Sequence, residues 1–168
     1  VGGHFGGRRL AAPKGEKTRP TSDKVREAIF GMLGPSSSGA QALDLFAGSG
    51  ALGLDAISRG ASAATFVDNS HQAIRTIQEN CRALGVTDQC QILRQALPRF
   101  LNTSSVLEAA SFIFIDPPYA SSLADQTMQT LADCSSRLHS NVKIVVEHSS
   151  KNRSMRELEP QYGALGLR

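Results

Sequence analysis

Thirteen residues, Ala42-Leu-Asp-Leu-Phe-Ala-Gly-Ser-Gly-Ala-Leu-Gly-Leu, constrain this chain more than any other stretch. A short apolar run passes through a tight glycine turn into helical apolar spacing. Gly48, Gly50 and Gly53 satisfy G-x-G-x-x-G, which lets a ligand approach the backbone closely at the carboxyl end of a first strand, where open α/β sheets bind their ligands. Asp68, twenty residues past Gly48, stands where a second strand ends and can accept hydrogen bonds from two ribose hydroxyls. These features suit a dinucleotide as well as other nucleotide-like ligands. Asp44 tilts the balance, because a carboxylate just before the glycines suits an ammonium or sulfonium better than a pyrophosphate.

The rest of the chain agrees with a sheet. Apolar runs at Ala42–Phe46, Ala63–Asp68, Cys90–Arg94, Phe112–Ile115 and Val142–Glu147 read as strands, and Ala51–Ser58, Ser70–Leu84, Ala96–Ala109 and Ser121–Leu138 read as helices between them. Nearly continuous apolar strands imply a sheet covered on both faces, and strand-helix alternation implies parallel pairing with right-handed crossovers. The expected architecture is a doubly wound α/β domain, with Leu43, Leu45, Val67, Ile113, Ile115, Ile144 and Val146 in its core. A further helix starts at Thr21-Ser-Asp and stops at Gly34-Pro35, with Val25, Ile29, Met32 and Leu33 on one buried face and Lys24 and Arg26 off it, free to touch a ligand. Beyond residue 150 the sequence turns polar, and Tyr162–Arg168 is expected to add a last strand.

With 168 residues the chain has the length of one ordinary domain, able to bury roughly two thirds of its unfolded surface. The expected division is a basic arm or loose hairpin over residues 1–20 and the α/β domain over 21–168. Its longest apolar runs are far too short to cross a bilayer. The chain opens on Val1 with no charged-then-apolar leader, and a few residues are expected to be missing before it. Cys81, Cys90 and Cys134 are odd in number and lack C-x-x-C spacing, so a reducing, cytoplasmic location fits better than a disulfide framework. His4, His71, His139 and His148 show no metal-ligand spacing, and no metal is expected.

The net charge of +3 is mild, but its distribution is not. Residues 1–26 hold seven basic and two acidic side chains, whereas the remaining 142 hold 11 and 13. A basic end of this kind is expected to meet a polyanion, with Arg8, Arg9, Arg19, Lys24 and Arg26 the candidates for phosphate contact.

At Phe112-Ile-Phe-Ile-Asp-Pro-Pro-Tyr a buried strand ends in Asp116, Pro117, Pro118 and Tyr119. Each proline fixes its own φ and pushes the residue before it into extended conformation, so Asp116 and Pro117 form a rigid turn that offers acceptors. The bland reading is a strand-ending turn and no more. The chemical one is specific. An exocyclic amine of a nucleic-acid base is a poor nucleophile, its lone pair delocalised into the ring. An Asp116 carboxylate oxygen and the Pro117 carbonyl can accept its two N–H bonds and aim the lone pair at a methyl group, while Tyr119 stacks on the base. A base delivered this way must be unpaired or flipped.

With these motifs in place the chain resembles the class I S-adenosylmethionine methyltransferases. Within them it resembles the RsmD family, bacterial small-subunit rRNA guanine-N2 methyltransferases. The resemblance runs nearly end to end. It rests on Gly-Gly-x-x-x-Gly-Arg-Arg-Leu at 2–10, Thr-Arg-Pro-Thr-Ser-Asp-Lys-Val-Arg-Glu at 18–27, the glycine turn at 44–54, Ser-Arg-Gly at 58–60, and Asp-Pro-Pro-Tyr at 116–119. The last motif is shared with adenine-N6 DNA methyltransferases, whereas the stretch at 18–27 is more particular. The resemblance implies a mostly parallel seven-stranded sheet in the order 3-2-1-4-5-7-6. It implies S-adenosylmethionine bound by Asp44, Phe46, Ala47, Gly48, Ser49, Gly50, Gly53, Asp68, Asn69, Gln95 and Ala96. It also implies a guanine of rRNA in an assembling small ribosomal subunit as substrate. Gln95 departs from the acid often found at its position, and with Arg168 as its end the last strand is expected to be cut short.

Other classes use parts of this pattern. A nicotinamide-dependent oxidoreductase would share the glycine turn but give no reason for Asp-Pro-Pro-Tyr and need a substrate domain. An adenine-N6 DNA methyltransferase would share both motifs but usually carries a separate target-recognition region. A non-catalytic RNA-binding module would explain the basic arm and leave Asp44, Asp68 and Asp116 without roles.

Overall fold

The computed structural model describes residues 1–13, 23–34, 38–118, 122–147, 161–162 and 165–166. Five parallel strands form its main sheet: β1 Gln41–Leu45, β2 Ala63–Asp68, β3 Cys90–Arg94, β4 Phe112–Ile115 and β5 Lys143–Val146. Their spatial order is β3-β2-β1-β4-β5. The chain builds outward from β1 to β3, then returns to the other side of β1, so the order reverses between β1 and β4. Ligands of open α/β sheets bind at that switch point, at the carboxyl ends of the strands.

Both faces of the sheet are covered, as the apolar runs require. Helices α1 Asp23–Leu33, α2 Ala51–Ser58 and α3 His71–Leu84 cover one, where Phe30, Leu54, Phe66, Ile77 and Phe114 form the core. Helix α4 Leu123–Asp133 covers the other, packing Met128 and Leu131 with Leu43, Leu45, Val67, Ile113 and Ile115. Helix α3 begins where Ser70 accepts from Ala73 N at 3.3 Å and ends at Gly85, which takes a left-handed φ of 73°.

Strand and helix expectations meet the structure closely for β1 to β5, α2 and α3. Three expectations are corrected. The region 96–109 is not an α-helix but two 3₁₀ turns, Arg99–Asn102 and Ser105–Leu107. The run Asn102-Thr-Ser-Ser explains this, because such side chains compete for backbone groups; Ser104 accepts from Val106 N. The Arg137 guanidinium then takes the freed carbonyls of Leu101 and Asn102 at 3.2 and 3.1 Å. Helix α4 is shorter than Ser121–Leu138, giving way to a 3₁₀ turn at Ser135–Arg137. Ile144 and Val146 are half-buried rather than core, because β5 is an edge of the five-stranded sheet.

The seven-stranded sheet in the order 3-2-1-4-5-7-6 is met only in part. Among the described residues β6 Gln161–Tyr162 and β7 Leu165–Gly166 pair antiparallel in a ladder of their own. That ladder has two pairs, Gln161 with Gly166 and Tyr162 with Leu165. The class, a mostly parallel doubly wound sheet, stands.

Gly53 shows why the third glycine of the turn matters. A Cβ there would overlap the Phe66 ring, whose Cζ would lie 2.9 Å away, and Phe66 is fully buried between α2 and the sheet. Gly53→Ala is therefore expected to destabilise the fold by about 1–3 kcal/mol through overpacking. Thermal denaturation checks this, and an unchanged midpoint would contradict it.

Candidate active site

The turn after β1 is shaped by left-handed residues at three alternate positions: Phe46 at φ 59°, Gly48 at 55° and Gly50 at 78°. For Phe46 this conformation is strained, and it persists because its neighbours hold it. Asp44 Oδ2 accepts from Gly53 N at 2.8 Å, tying the first turn of α2 back to β1. Asp68 Oδ2 accepts from Gly48 N at 2.9 Å, and its Oδ1 accepts from Ser70 N at 2.8 Å. The peptide between Ser49 and Gly50 is fixed at both ends. Gly50 N donates to Ala47 O at 2.6 Å, and Ser49 O accepts from Asn80 Nδ2 at 2.9 Å. Among the described residues a Cβ on Gly48 would meet only Phe46 O, at 3.9 Å, so these residues leave the turn open on that side.

Strand register brings three carboxylates to one edge. Asp44 pairs with Phe66 on β2 and Phe114 on β4, and Leu45 pairs with Val67 and Ile115. Asp68 and Asp116 therefore follow one step beyond, on either side of β1. By strand alternation both share the sheet face of Phe66 and Phe114, as does Asp44. Asp116 is half-buried, Pro117 buried and Pro118 exposed. Half-buried Phe46, Gly48, Ser49 and Asp68, and exposed Asn69, Gln95 and Ala96, continue the edge toward β3, while Ala47 and Gly50 lie beneath it. Gln95 N donates to Asp68 O at 3.0 Å. Tyr119 lies outside the described residues.

Asp44 is the electrostatic centre of this edge. It is 2% exposed, and burial pushes its carboxyl well above the usual range. The Gly53 N–H draws it back down, while the charges of Asp116 and then Asp68 push it up. An acid whose folded pKa is raised holds a proton that the unfolded chain has lost. The stability it lends is complete below the ordinary aspartate range and is lost as pH rises toward the folded value. Asp44→Asn keeps an acceptor for Gly53 N without the buried charge. The unliganded variant is expected to melt higher than the native chain at pH 8, with the gap closing toward pH 4; a gap independent of pH would refute this.

The basic arm is docked rather than loose over the described residues. Gly2 N donates to Asp55 Oδ1 at 2.6 Å, Phe5 N to Ser58 Oγ at 2.8 Å, and Ala11 N to Asn80 Oδ1 at 2.8 Å. Arg8, Arg9 and Lys24 are exposed. Arg19 lies outside the described residues, as do Thr18, Pro20 and His148. Arg26 corrects the expectation that it lies off the buried face of α1. It is 7% exposed, with Nε donating to Asp55 Oδ2 at 2.8 Å and a second contact to Asp23. The buried face is Arg26, Ile29, Phe30 and Leu33, while Val25 and Met32 are 39% and 76% exposed.

Sequence reasoning missed Asp55 and Asn80. The signal for each was present: an acid inside the nearly all-apolar α2, and an amide on the buried stripe of α3 defined by Ala73, Ile77, Cys81 and Leu84. Such groups require buried partners. Among the described residues no cluster of His, Cys, Asp and Glu is arranged to hold a metal ion, and no helix is long and apolar enough to cross a membrane.

A parallel sheet ordered 3-2-1-4-5, with a glycine turn after β1 and acids closing β1, β2 and β4, has the architecture of the class I methyltransferases. The chain belongs to the RsmD family: the family model described as conserved hypothetical protein 95 matches residues 1–161. It is 42% identical over 149 residues to the putative rRNA methyltransferase YlbH of Bacillus subtilis, covering 88% of this chain and 80% of that one. It is 35% identical over 133 residues to ribosomal RNA small subunit methyltransferase D of Escherichia coli, covering 79% of this chain and 66% of that one. Among solved structures, the putative methyltransferase yhhF from Escherichia coli superposes with a TM-score of 0.74 at 32% identity, over 90% of this chain and 82% of that one. An RNA methyltransferase from Salinibacter ruber, solved with S-adenosyl-L-homocysteine, shares the fold at a TM-score of 0.61 and 13% identity, over 80% of this chain and 82% of that one.

Proposed function

We propose that this chain transfers a methyl group from S-adenosylmethionine to the exocyclic N2 amine of a guanine in small-subunit rRNA. The observation that carries the reading is the convergence of Asp44, Asp68 and Asp116 on the open carboxyl edge around the glycine turn. The residues present fit the cofactor. The opening at Gly48 admits a ligand against the backbone, Asp68 at the end of β2 is placed for ribose hydroxyls, and buried Asp44 favours a cationic group over a phosphate. Phe46, Ala47, Ser49, Gly50, Asn69, Gln95 and Ala96 complete the candidate cofactor set. When bound, the cofactor supplies a methyl group on a leaving group already activated by its own charge.

The chain's contribution is position. Asp116 and the Pro117 carbonyl accept the two amine N–H bonds and fix the lone pair's direction, Pro118 keeps the turn rigid, and Tyr119 stacks on the base. Asp116 need not deprotonate the amine beforehand, because the proton becomes acidic only after the new N–C bond forms and is then lost to water. Arg8, Arg9, Arg19 and Lys24 are assigned to rRNA phosphates. Arg26, engaged with Asp55, is assigned to holding α1. The rRNA substrate draws on the names of the relatives, and guanine N2 on the family resemblance. The division into arm and domain, a cytoplasmic location and action on an assembling subunit belong to the same proposal, as does chemistry without a metal.

The test is transfer of a labelled methyl group from S-adenosylmethionine to unmodified small subunits, naked rRNA and duplex DNA in parallel. Label recovered from rRNA as N2-methylguanine is expected. Label in DNA adenine would replace the reading with a DNA methyltransferase, and cofactor binding with no label anywhere would remove the catalytic assignment.

A further inference from the structure

Asn80 joins two parts of the molecule that lie far apart in sequence. It stands on the buried stripe of α3, 3% exposed, and among the described residues its amide makes three hydrogen bonds. Oδ1 accepts from Ala11 N at 2.8 Å, and Nδ2 donates to Ala11 O at 3.1 Å and to Ser49 O at 2.9 Å. Toward the arm, the amide pairs with one residue through both its N–H and its C=O, as a neighbouring strand would. Toward the sheet edge, it holds the Ser49 carbonyl, whose peptide is fixed at its other end by Gly50 N on Ala47 O at 2.6 Å. That peptide is the middle of the glycine turn. A single planar side chain thus spans the basic arm and the backbone against which the cofactor is proposed to lie.

We infer that Asn80 is a positioning residue that couples docking of the N-terminal arm to the geometry of the glycine turn, so that arm and cofactor influence each other's binding. The inference rests on the proposed cofactor site and adds a link that the site residues alone do not provide. Moving the Ala11 backbone withdraws an acceptor from Nδ2 and a donor from Oδ1, and the amide loses the orientation that presents Nδ2 to Ser49. Coupling of this kind is reciprocal by thermodynamic necessity. An RNA that repositions the arm would change cofactor affinity by the same factor as cofactor changes RNA affinity. A purely structural Asn80 would also satisfy its buried amide. It predicts loss of stability on substitution but no dependence of cofactor affinity on residue 11.

The test is a double-mutant cycle on S-adenosylhomocysteine affinity, measured by calorimetry on the full chain without RNA. Ala11→Pro removes the N–H that Oδ1 accepts, at an exposed residue belonging to neither the cofactor set nor the proposed phosphate contacts. It is expected to weaken binding about fivefold or more, the lower end of ordinary coupling between sites. Asn80→Ala is expected to weaken binding at least as much, and Ala11→Pro is expected to have no additional effect in its presence. Circular dichroism establishes that each variant is folded. Should Asn80→Ala fail to fold, Ala11→Pro alone still decides: unchanged affinity overturns the inference. Additive effects in the cycle overturn it also, leaving Asn80 as a support of the turn alone. Failure of the native chain to bind S-adenosylhomocysteine would remove the cofactor reading and this inference together, whereas binding that is indifferent to residue 11 would remove only the inference.

Discussion

Asp116→Ala is expected to cut methyl transfer by about a hundredfold to a thousandfold, the usual effect of losing one preorganised polar group at a reacting centre, while cofactor remains bound. The prediction follows from where Asp116 stands. It is one residue past the last ladder pair of β4, half-buried, with its N–H directed to Leu45 O at 3.5 Å and two prolines behind it. Its backbone has supports of its own, the Leu45 carbonyl and the two prolines that follow, so the turn is expected to survive truncation of the side chain. Asp116→Asn keeps one acceptor oxygen but places an amide donor where the second stood, and should fall between the two. Loss of the Asp116 charge also removes the larger of the two carboxylate repulsions on Asp44, so cofactor binding should hold or tighten rather than weaken. Single-turnover transfer with saturating cofactor separates the step from binding. A rate for Asp116→Ala within about tenfold of the native chain, a barrier difference of only about 1.4 kcal/mol, would remove the amine-positioning role.

Much of this arrangement is legible in the sequence alone. The strands showed because a parallel sheet buried on both faces demands nearly unbroken apolar runs, and a run as short and as rich in aromatic and β-branched residues as Phe112-Ile-Phe-Ile, ended by two prolines, suits a buried strand better than a helix. Helix α3 was bounded by Ser70 and Gly85, whose capping roles are local chemistry. What resisted reading was set by tertiary partners. On α1, residues 25, 29, 32 and 33 and residues 26, 29, 30 and 33 satisfy helical spacing equally well. Hydropathy alone favours the first set. The second is found because Asp55 on α2 gives Arg26 a buried partner, and Phe30 packs against Phe114 with ring centroids 5.7 Å apart. The region 96–109 carries well-spaced apolar residues, Leu101 and Leu107 among them, but its hydroxyl and amide side chains claim the backbone and Arg137 supplies the missing capping from a distant element. At the site, the aspartates and glycines were visible because their spacing is a property of one strand and its turn. Asn80 was not, because its partners are 31 and 69 residues away.

The buried pair that sets the inward face of α1 also predicts the largest loss of stability. Arg26→Met keeps most of the side chain's apolar stem over α2 but leaves the Asp55 carboxylate, 1% exposed, with the Gly2 N–H at 2.6 Å and without its guanidinium. Removing one partner of a buried ion pair typically costs about 3–5 kcal/mol, because the remaining charge cannot return to water. For a domain of this size that corresponds to a fall in Tm of about 10 °C. The loss should depend weakly on salt, since the pair is shielded from mobile ions. Replacing both residues with apolar ones, Arg26→Met with Asp55→Leu, should recover part of it, because the uncompensated charge is then absent; the Gly2 contact is lost in exchange. Calorimetry on the two single variants and the double variant completes the cycle. The competing role for Arg26, contact with an rRNA phosphate, predicts the reverse pattern. Tm would be unchanged, and RNA affinity would fall, with its salt dependence reduced by about one counterion. A variant that melts with the native chain but binds rRNA more weakly would move Arg26 out of the core and into the nucleic-acid interface.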